Sequence, residues 1–142
     1  MFSRVSVFVT EEDVYAHIGR LVEAMMADEC IAVQCQRADT IVQYRLIEPD
    51  AVITVDLRRD FEPVVVLGEC ELEPEVVMSM ASDTAHRFFL GQVNVTVALA
   101  RGQIQARGPV AKILKLVPLV KPFFPHYRAL LQAEGRTDLV TA

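Results

Sequence analysis

Ser79, Ser82, Asp83 and His86 come closest to a catalytic set in this chain. A serine, a histidine and an aspartate can hydrolyse an ester when the histidine removes the hydroxyl proton and the aspartate orients the ring. Asp83 and His86 stand one helical turn apart, but no G-x-S-x-G elbow presents either serine as a nucleophile. An acyl-group hydrolase that uses Ser82 or His86 stays an alternative. We predict no catalytic residue and no enzyme.

The sequence gives equally little support for metal or cofactor chemistry. The histidines match no zinc motif, and the odd number and spacing of the cysteines suit neither a disulfide framework nor a zinc site. Gly102 and Gly108 flank a predicted strand but lack the Lys-Ser/Thr of a phosphate-binding loop. We predict no metal, no cofactor and reduced thiols in a cytoplasmic protein. The histidines and cysteines to which this applies are His17, His86, His126, Cys30, Cys35 and Cys70.

Charge is distributed unevenly along the chain. The first 83 residues hold 17 acidic and 6 basic side chains, whereas residues 84–133 hold seven basic and no acidic ones. The two halves could simply attract each other in the fold, or the basic half could contact anionic headgroups and, transiently, an anionic membrane surface. We predict no nucleic-acid partner because the net charge is −5 and the basic stretch lacks interleaved exposed aromatic residues. The predicted headgroup residues are Lys112, Lys115 and Lys121.

Apolar residues make up 52% of the chain, more than in most soluble domains. No run approaches the ~20 residues of a membrane-spanning helix, and the N-terminal residues do not resemble a signal peptide. A core, a partner or a ligand cavity must therefore hide the excess. Much of it lies on short, proline-broken elements in the last third, which we interpret as a lid over an internal cavity. The predicted lining is Met78, Met80, Phe88, Phe89, Val97, Ile113, Leu116, Val117, Leu119, Phe123 and Phe124.

A second interpretation of the same apolar material is a contact surface. Segment 109–124 could pack against a second copy of the chain, giving a homodimer, or against a partner protein. The sequence alone leaves this interaction module open as the alternative to a ligand cavity.

Apolar periodicity predicts the elements that position these residues. A helix over 11–27 begins at a Thr10 cap followed by three acidic residues. Alternation and turn residues predict strands at 41–47, 52–57, 64–67, 76–80 and 103–107. Further helices are predicted after a Ser82-Asp83 cap, from Pro109 at the first helical position to 117, and over 127–133. Prolines 118, 122 and 125 are expected to kink the segment between the last two.

Two segments are ambiguous by pattern. Residues 28–38 alternate like a strand, yet Asp28 and Glu29 could begin a short helix. Residues 92–100 alternate even more clearly, although Asn94 could cap a helix that ends at Gly102. Periodicity alone favours a strand for the second segment.

Three stretches resemble the sterol carrier protein type 2 (SCP-2) family. Residues 76–83 resemble its strand that runs into a capped helix, and residues 89–94 resemble its helix-ending glycine and next helix start. Residues 98–108 resemble its most recognisable run, in which a helix ends in glycine, a short strand follows, and a second glycine leads into an amphipathic helix, here 109–116. The resemblance covers about residues 40–120.

The resemblance implies an α+β fold with a five-stranded, mostly antiparallel sheet, covered on one face by helices, with an apolar tunnel between the two layers. Residues 1–142 would form one domain, with an N-terminal helix at 11–27, a core at 40–120 and a C-terminal helical lid at 109–135. Residues 95–101 would be helical despite their alternation.

The same resemblance implies non-catalytic binding or carriage of an apolar lipid: a sterol, fatty acid, acyl-coenzyme A ester or phospholipid. The final residues, Leu139 to Ala142, lack a peroxisomal Ser-Lys-Leu address. The chain therefore resembles stand-alone bacterial-type members, whose ligand need not be a sterol.

Overall fold

A computed structural model describes residues 7–140 of the chain. Its centre is one five-stranded mixed sheet in the order β3-β2-β1-β4-β5. Strands β1 and β4 pair in parallel, and the other three pairs are antiparallel. The strands are β1 (Ile41–Ile47), β2 (Ala51–Asp56), β3 (Val64–Leu67), β4 (Val76–Ala81) and β5 (Ile104–Arg107). All five predicted strands are confirmed.

Strand alternation gives the sheet one apolar and one polar face. Inward residues of neighbouring strands face each other in register, as Tyr44 does with Ile53 on β2 and with Met78 on β4. The opposite face is more polar and includes the buried pair Gln43 and Thr54, whose side chains hydrogen-bond at 3.1 Å. Only one face of the sheet therefore needs to be covered by helices.

The described residues also form eight α-helices. They are α1 (Glu11–Val14), α2 (Arg20–Ala27), α3 (Glu29–Cys35), α4 (Ser82–Phe89), α5 (Val95–Ala100), α6 (Val110–Val120), α7 (Phe124–Ala133) and α8 (Thr137–Val140). A π-helical turn, Tyr15–Gly19, joins α1 to α2, so the predicted helix over 11–27 is continuous. Short 3₁₀ turns, Gln36–Ala38 and Lys121–Phe123, follow α3 and α6.

Side-chain caps decide both ambiguous segments. The Asp28 carboxylate accepts from the Ile31 N–H at 3.1 Å, and the chain continues as α3. The Asn94 side chain accepts from the Val97 N–H at 3.1 Å, and α5 follows. A cap satisfies an N–H group that a helix start otherwise leaves unpaired, which favours the helix over the alternating strand.

Several helix boundaries differ from the prediction, and α7 begins at Phe124, three residues before its predicted start at 127. Ser82 does not cap α4, because it is the first helical residue and its hydroxyl donates to the Pro49 carbonyl at 2.8 Å. Pro109 precedes α6 as its N-cap instead of occupying the first helical position. The helix also continues through Pro118 to Val120, three residues beyond its predicted end at 117.

Candidate functional site

A narrow apolar cavity of about 50 Å³ lies between the inward face of the sheet and the helices. Its lining comes from four helices and three strands, and none of the side chains carries a charge. The lining residues are Met25, Tyr44, Met78, Met80, Phe88, Phe89, Val95, Ile104, Ile113, Leu116, Val117 and Val120. The arrangement suits an apolar ligand, and the Tyr44 hydroxyl is the one polar side-chain group in its lining.

Strand register and helical spacing bring this lining together. Met78 and Met80 on β4 lie beside Tyr44 on β1 and Ile104 on β5 and form the floor of the cavity. The side chains above them come from α6 at positions i, i+3, i+4 and i+7, which share one face of a helix. These are Ile113, Leu116, Val117 and Val120.

Most of the predicted lining reaches this cavity. The seven residues that do are Met78, Met80, Phe88, Phe89, Ile113, Leu116 and Val117. Val97 does not, because α5 turns it outward and leaves it 42% exposed.

Leu119, Phe123 and Phe124 also lie outside the cavity. The unbroken helix past Pro118 rotates Leu119 toward the side of α6 that faces α3. Phe123 stacks edge-on against His126, with ring centroids 5.4 Å apart. Phe124 packs against Phe88 at 5.6 Å, outside the cavity.

Sequence reasoning missed five lining residues: Met25, Tyr44, Val95, Ile104 and Val120. Tyr44 and Ile104 alternate with other inward residues of their strands, so a register between β1, β4 and β5 could have found them. Val120 was missed because Pro118 was expected to end the helix.

The cavity is much narrower than the tunnel that the resemblance implies. A volume of about 50 Å³ admits a few water-sized groups and not a whole acyl chain. Ile113 and Leu116 are buried against the layer below, so α6 lies close to the sheet.

A basic groove runs along one side of α6, next to the cavity. Its lining is Gln34, Arg37, Ala38, Asp39, Arg59, Lys112, Lys115, Leu116 and Leu119. Leu116 borders both spaces, so the groove and the cavity are neighbours. Of the predicted headgroup lysines, Lys112 and Lys115 lie here, whereas Lys121 lies in a second groove on the other side of α6. Sequence reasoning missed the two arginines.

Some charges of the basic groove are already paired. The Lys112 ammonium donates to the Glu75 carboxylate at 2.9 Å. A hydrogen bond from the Thr40 hydroxyl, followed by the one from Lys112, holds the pKa of Glu75 below its usual value. Arg37 and Lys115 are exposed and have no ion-pair partner within residues 7–140. These two side chains are therefore available to an anion.

The residues considered for catalysis have structural roles. His86 is fully buried, where Nδ1 accepts from the Tyr127 hydroxyl at 2.7 Å and Nε2 donates to the Leu139 carbonyl at 2.8 Å. Burial lowers the pKa of His86, so the neutral ring that fits these two bonds is favoured. The Ser82 hydroxyl is already bonded to Pro49. His86 thus ties α4 to the two C-terminal helices and has no free nitrogen for a substrate.

Replacing His86 by leucine should destabilise the fold by about 2–4 kcal/mol at pH 7.5, because the Tyr127 hydroxyl and the Leu139 carbonyl lose their buried partners. In the unfolded chain His86 has its ordinary pKa of 6.5, and in the folded chain its pKa is lower. Below pH 6.5 the unfolded state therefore binds a proton that the folded state does not, and stability falls as pH falls. Urea unfolding from pH 5 to 8 measures both effects.

The exposed His126 provides the matched control. His126→Leu should leave the stability at pH 7.5 within about 0.5 kcal/mol, and its pH profile should follow the unmodified chain. An equal loss in both variants, or a His86→Leu profile that keeps the full acid dependence, would contradict the structural role of His86.

Metal and disulfide sites are absent from the described part of the chain. No three His, Cys, Asp or Glu residues between positions 7 and 140 are placed to hold a metal ion. The cysteines are free thiols, with Cys30 exposed, Cys70 half-buried and Cys35 buried. Burial raises the pKa of Cys35 to about 11, so its thiol stays protonated.

Comparison with known proteins identifies the family in which this geometry occurs. A sequence model of the SCP-2 sterol transfer family matches residues 26–121. The chain belongs to this family. Membership confirms the resemblance, and the matched segment runs from the end of α2 to the end of α6, which contains almost all of the cavity lining.

Solved structures share the SCP-2 fold at low sequence identity. Apo sterol carrier protein 2 from Yarrowia lipolytica is 16% identical with a TM-score of 0.62, over 73% of this chain and 87% of that one. The sterol carrier protein domain 2 of Helicoverpa armigera is also 16% identical, with a TM-score of 0.58, over 82% of this chain and 88% of that one. At these identities the likeness establishes the α+β fold.

The fold also occurs inside an enzyme. The sec-alkylsulfatase Pisa1 from Pseudomonas sp. matches 62% of this chain with 14% identity and a TM-score of 0.53, but the match covers only 14% of the sulfatase.

No curated protein sequence matches this chain. None of the helices between residues 7 and 140 combines the length and apolarity needed to cross a membrane.

Proposed function

We propose that the protein binds and carries an apolar lipid between α6 and the sheet, without catalysing a reaction on it. The observation that carries the proposal is the cavity, whose uncharged lining joins the centre of the sheet to one face of α6. Membership of the SCP-2 sterol transfer family supports the proposal. The absence of a nucleophile–base pair around Ser82 and His86 supports the non-catalytic part.

Removal of ligand surface from water would drive binding. Burying ~300 Å² of an acyl chain at ~25 cal/mol per Å² contributes about 7–8 kcal/mol before the costs of association and ordering. A dissociation constant of 1 μM corresponds to about 8.2 kcal/mol, so this figure alone makes micromolar affinity an upper limit. The apolar area of the ligand, more than directional contacts, would therefore determine which ligands bind.

Binding a whole chain requires α6 to move away from the sheet. Only Ile113 and Leu116 of this helix are buried, and a groove opens along each of its sides. Pro118 has no N–H group, so the Leu114 carbonyl lacks its helical partner and the helix can bend there. We propose that α6 lifts as the lid while the sheet and α4 stay in place.

The basic groove would hold an anionic headgroup at the edge of the same space. Arg37 and Lys115 supply unpaired cations there, and Leu116 connects the groove to the cavity. A fatty acid or a phosphate-bearing lipid could then place its chain under α6 and its charge in water-accessible surroundings. This arrangement avoids burying a charge without a partner.

Native mass spectrometry of the full chain with a panel of C12 to C18 fatty acids, alcohols and a sterol tests the proposal. We expect one lipid per chain for several panel members, with affinity that increases with chain length up to the limit of the opened cavity. If no panel member binds and the purified protein retains no lipid, the carrier proposal fails.

Reversing the charges of Arg37 and Lys115 should separate headgroup from chain binding. Arg37→Glu combined with Lys115→Glu should weaken dodecyl phosphate binding about fivefold to tenfold, since exposed ion pairs contribute up to about 1 kcal/mol each. Binding of 1-dodecanol should not change. Titration calorimetry at low ionic strength measures both affinities.

Lys121→Glu serves as the control for this variant, because Lys121 lies on the other side of α6. It should leave dodecyl phosphate affinity unchanged within about twofold. An equal effect of Lys121→Glu would show that net charge, and not the basic groove, attracts the anion.

The structure offers little exposed apolar surface for the interaction-module alternative. Of the larger apolar side chains in segment 109–124, Leu114 is the exposed one, at 42%. If the segment is a dimer contact, light scattering of the chain with and without lipid would show a dimer that does not depend on lipid.

A further inference from the structure

Tyr44 differs from the other two tyrosines of the chain in what its hydroxyl contacts. The Tyr15 hydroxyl donates to Glu11 at 3.0 Å and accepts from the Val52 N–H at 3.1 Å. The Tyr127 hydroxyl donates to His86 at 2.7 Å. The Tyr44 hydroxyl has no hydrogen-bond partner among the residues that the structure describes. Tyr44 is only partly buried and lines the cavity, so its hydroxyl is free to hydrogen-bond a group that enters there.

The position of Tyr44 directs its side chain into the cavity. Val42 and Leu46, two residues before and after it on β1, are buried on the inward face, and Tyr44 shares that face by alternation. Met78 is its register partner on β4 and also lines the cavity. The eleven other lining residues are all apolar, so Tyr44 supplies the single polar side-chain group of the lining.

We infer that the Tyr44 hydroxyl hydrogen-bonds an uncharged oxygen in the buried part of the ligand. The inference rests on the proposed function and narrows its ligand class to chains that carry a hydroxyl, ketone or ester oxygen inside the cavity. Tyr44 is then a specificity-determining residue, since it favours such ligands over plain hydrocarbon of the same length.

Electrostatics around Tyr44 fit an uncharged partner. Burial raises the pKa of Tyr44 to about 12, so the hydroxyl is neutral and can both donate and accept. No lining residue is cationic, so a carboxylate at this depth would be left without a counter-charge. Anionic ends therefore belong in the basic groove, and neutral oxygens belong beside Tyr44.

Paired ligands with Tyr44→Phe test the inference. Binding of 1-dodecanol and of dodecane to the full chain is measured by native mass spectrometry, with Tyr15→Phe as the control outside the cavity. Tyr44→Phe should weaken 1-dodecanol about fivefold to tenfold and leave dodecane unchanged, which is the usual contribution of one hydrogen bond. Tyr15→Phe should change neither ligand, and thermal unfolding checks that both variants fold.

A carbonyl ligand gives a second readout that does not depend on affinity. The infrared C=O stretch of ¹³C-labelled 2-dodecanone should lie at lower frequency in the unmodified protein than in Tyr44→Phe, because the hydrogen bond weakens the carbonyl bond. An unchanged affinity ratio together with an unchanged frequency overturns the inference while the carrier proposal stands. The carrier proposal itself is overturned if these three ligands and the whole lipid panel fail to bind the unmodified chain and the purified protein retains no lipid.

Discussion

Gly108→Ala is expected to destabilise the protein by roughly 2–5 kcal/mol. Gly108 has a φ of +98°, which costs an L-residue about 1–2 kcal/mol. An added Cβ would also overlap the backbone carbonyl oxygen of Glu75, and no flexible side chain can move aside to relieve it. Glu75 is fixed by its N–H bond to the Ile41 carbonyl at 2.9 Å, so the overlap must displace a strand.

Gly102→Ala isolates the steric part of this effect. Gly102 also has a positive φ, +74°, but nothing lies within 4 Å of an added Cβ there. The control should therefore lose only the roughly 1–2 kcal/mol of the backbone conformation. Urea unfolding followed by circular dichroism measures both variants. Equal losses would show that the approach of Gly108 to Glu75 is not what fixes the start of α6.

Val117→Phe is expected to weaken fatty-acid binding about tenfold or more. Val117 lies on the α6 face above the cavity, where a phenyl ring would occupy space that the ligand needs. Excluding two methylenes at about 0.8 kcal/mol each accounts for a tenfold loss. The free energy of unfolding should change by less than about 1.5 kcal/mol, because the ring enters an existing void. Calorimetric titration with lauric acid measures the affinity.

Leu114→Phe is the matched control on the same helix. Leu114 points outward, is 42% exposed and does not line the cavity. Its replacement should leave lauric acid affinity unchanged within about twofold. If Leu114→Phe weakens binding as much as Val117→Phe does, the ligand does not lie under α6.

Local signals in the sequence were enough to predict the five strands and most helices, whereas their arrangement in one sheet came from the family resemblance. Alternation in β1 and β2 and the turn between them follow directly from the residues, and the caps at Thr10 and Asn94 are present as short-range signals. Periodicity failed at 92–100, where the alternating valines lie on a helix because a cap and packing outweigh β preference. The family resemblance corrected that segment.

The candidate site was predicted only in part because it depends on register and on the course of one helix. Met78 and Met80 were identified from their own strand, but Tyr44 belongs to the site through the pairing of β1 with β4. Pro118 misled the prediction of the last turns of α6, since a proline can be accommodated there at the cost of one hydrogen bond. Arg37 reaches the basic groove through tertiary packing that no local pattern encodes.

The central claim is that lipid lies between α6 and the sheet, and methionine methyl groups report on it directly. Met25, Met78 and Met80 line the cavity, whereas Met26, next to Met25 on α2, does not. Intermolecular NOEs are measured between protonated lauric acid and deuterated protein with ¹³C-methyl methionine. We predict NOEs from the acyl chain to Met25, Met78 and Met80 and none to Met26. Bound lauric acid that shows NOEs to Met26 alone, or to none of these four methyl groups, would contradict the account.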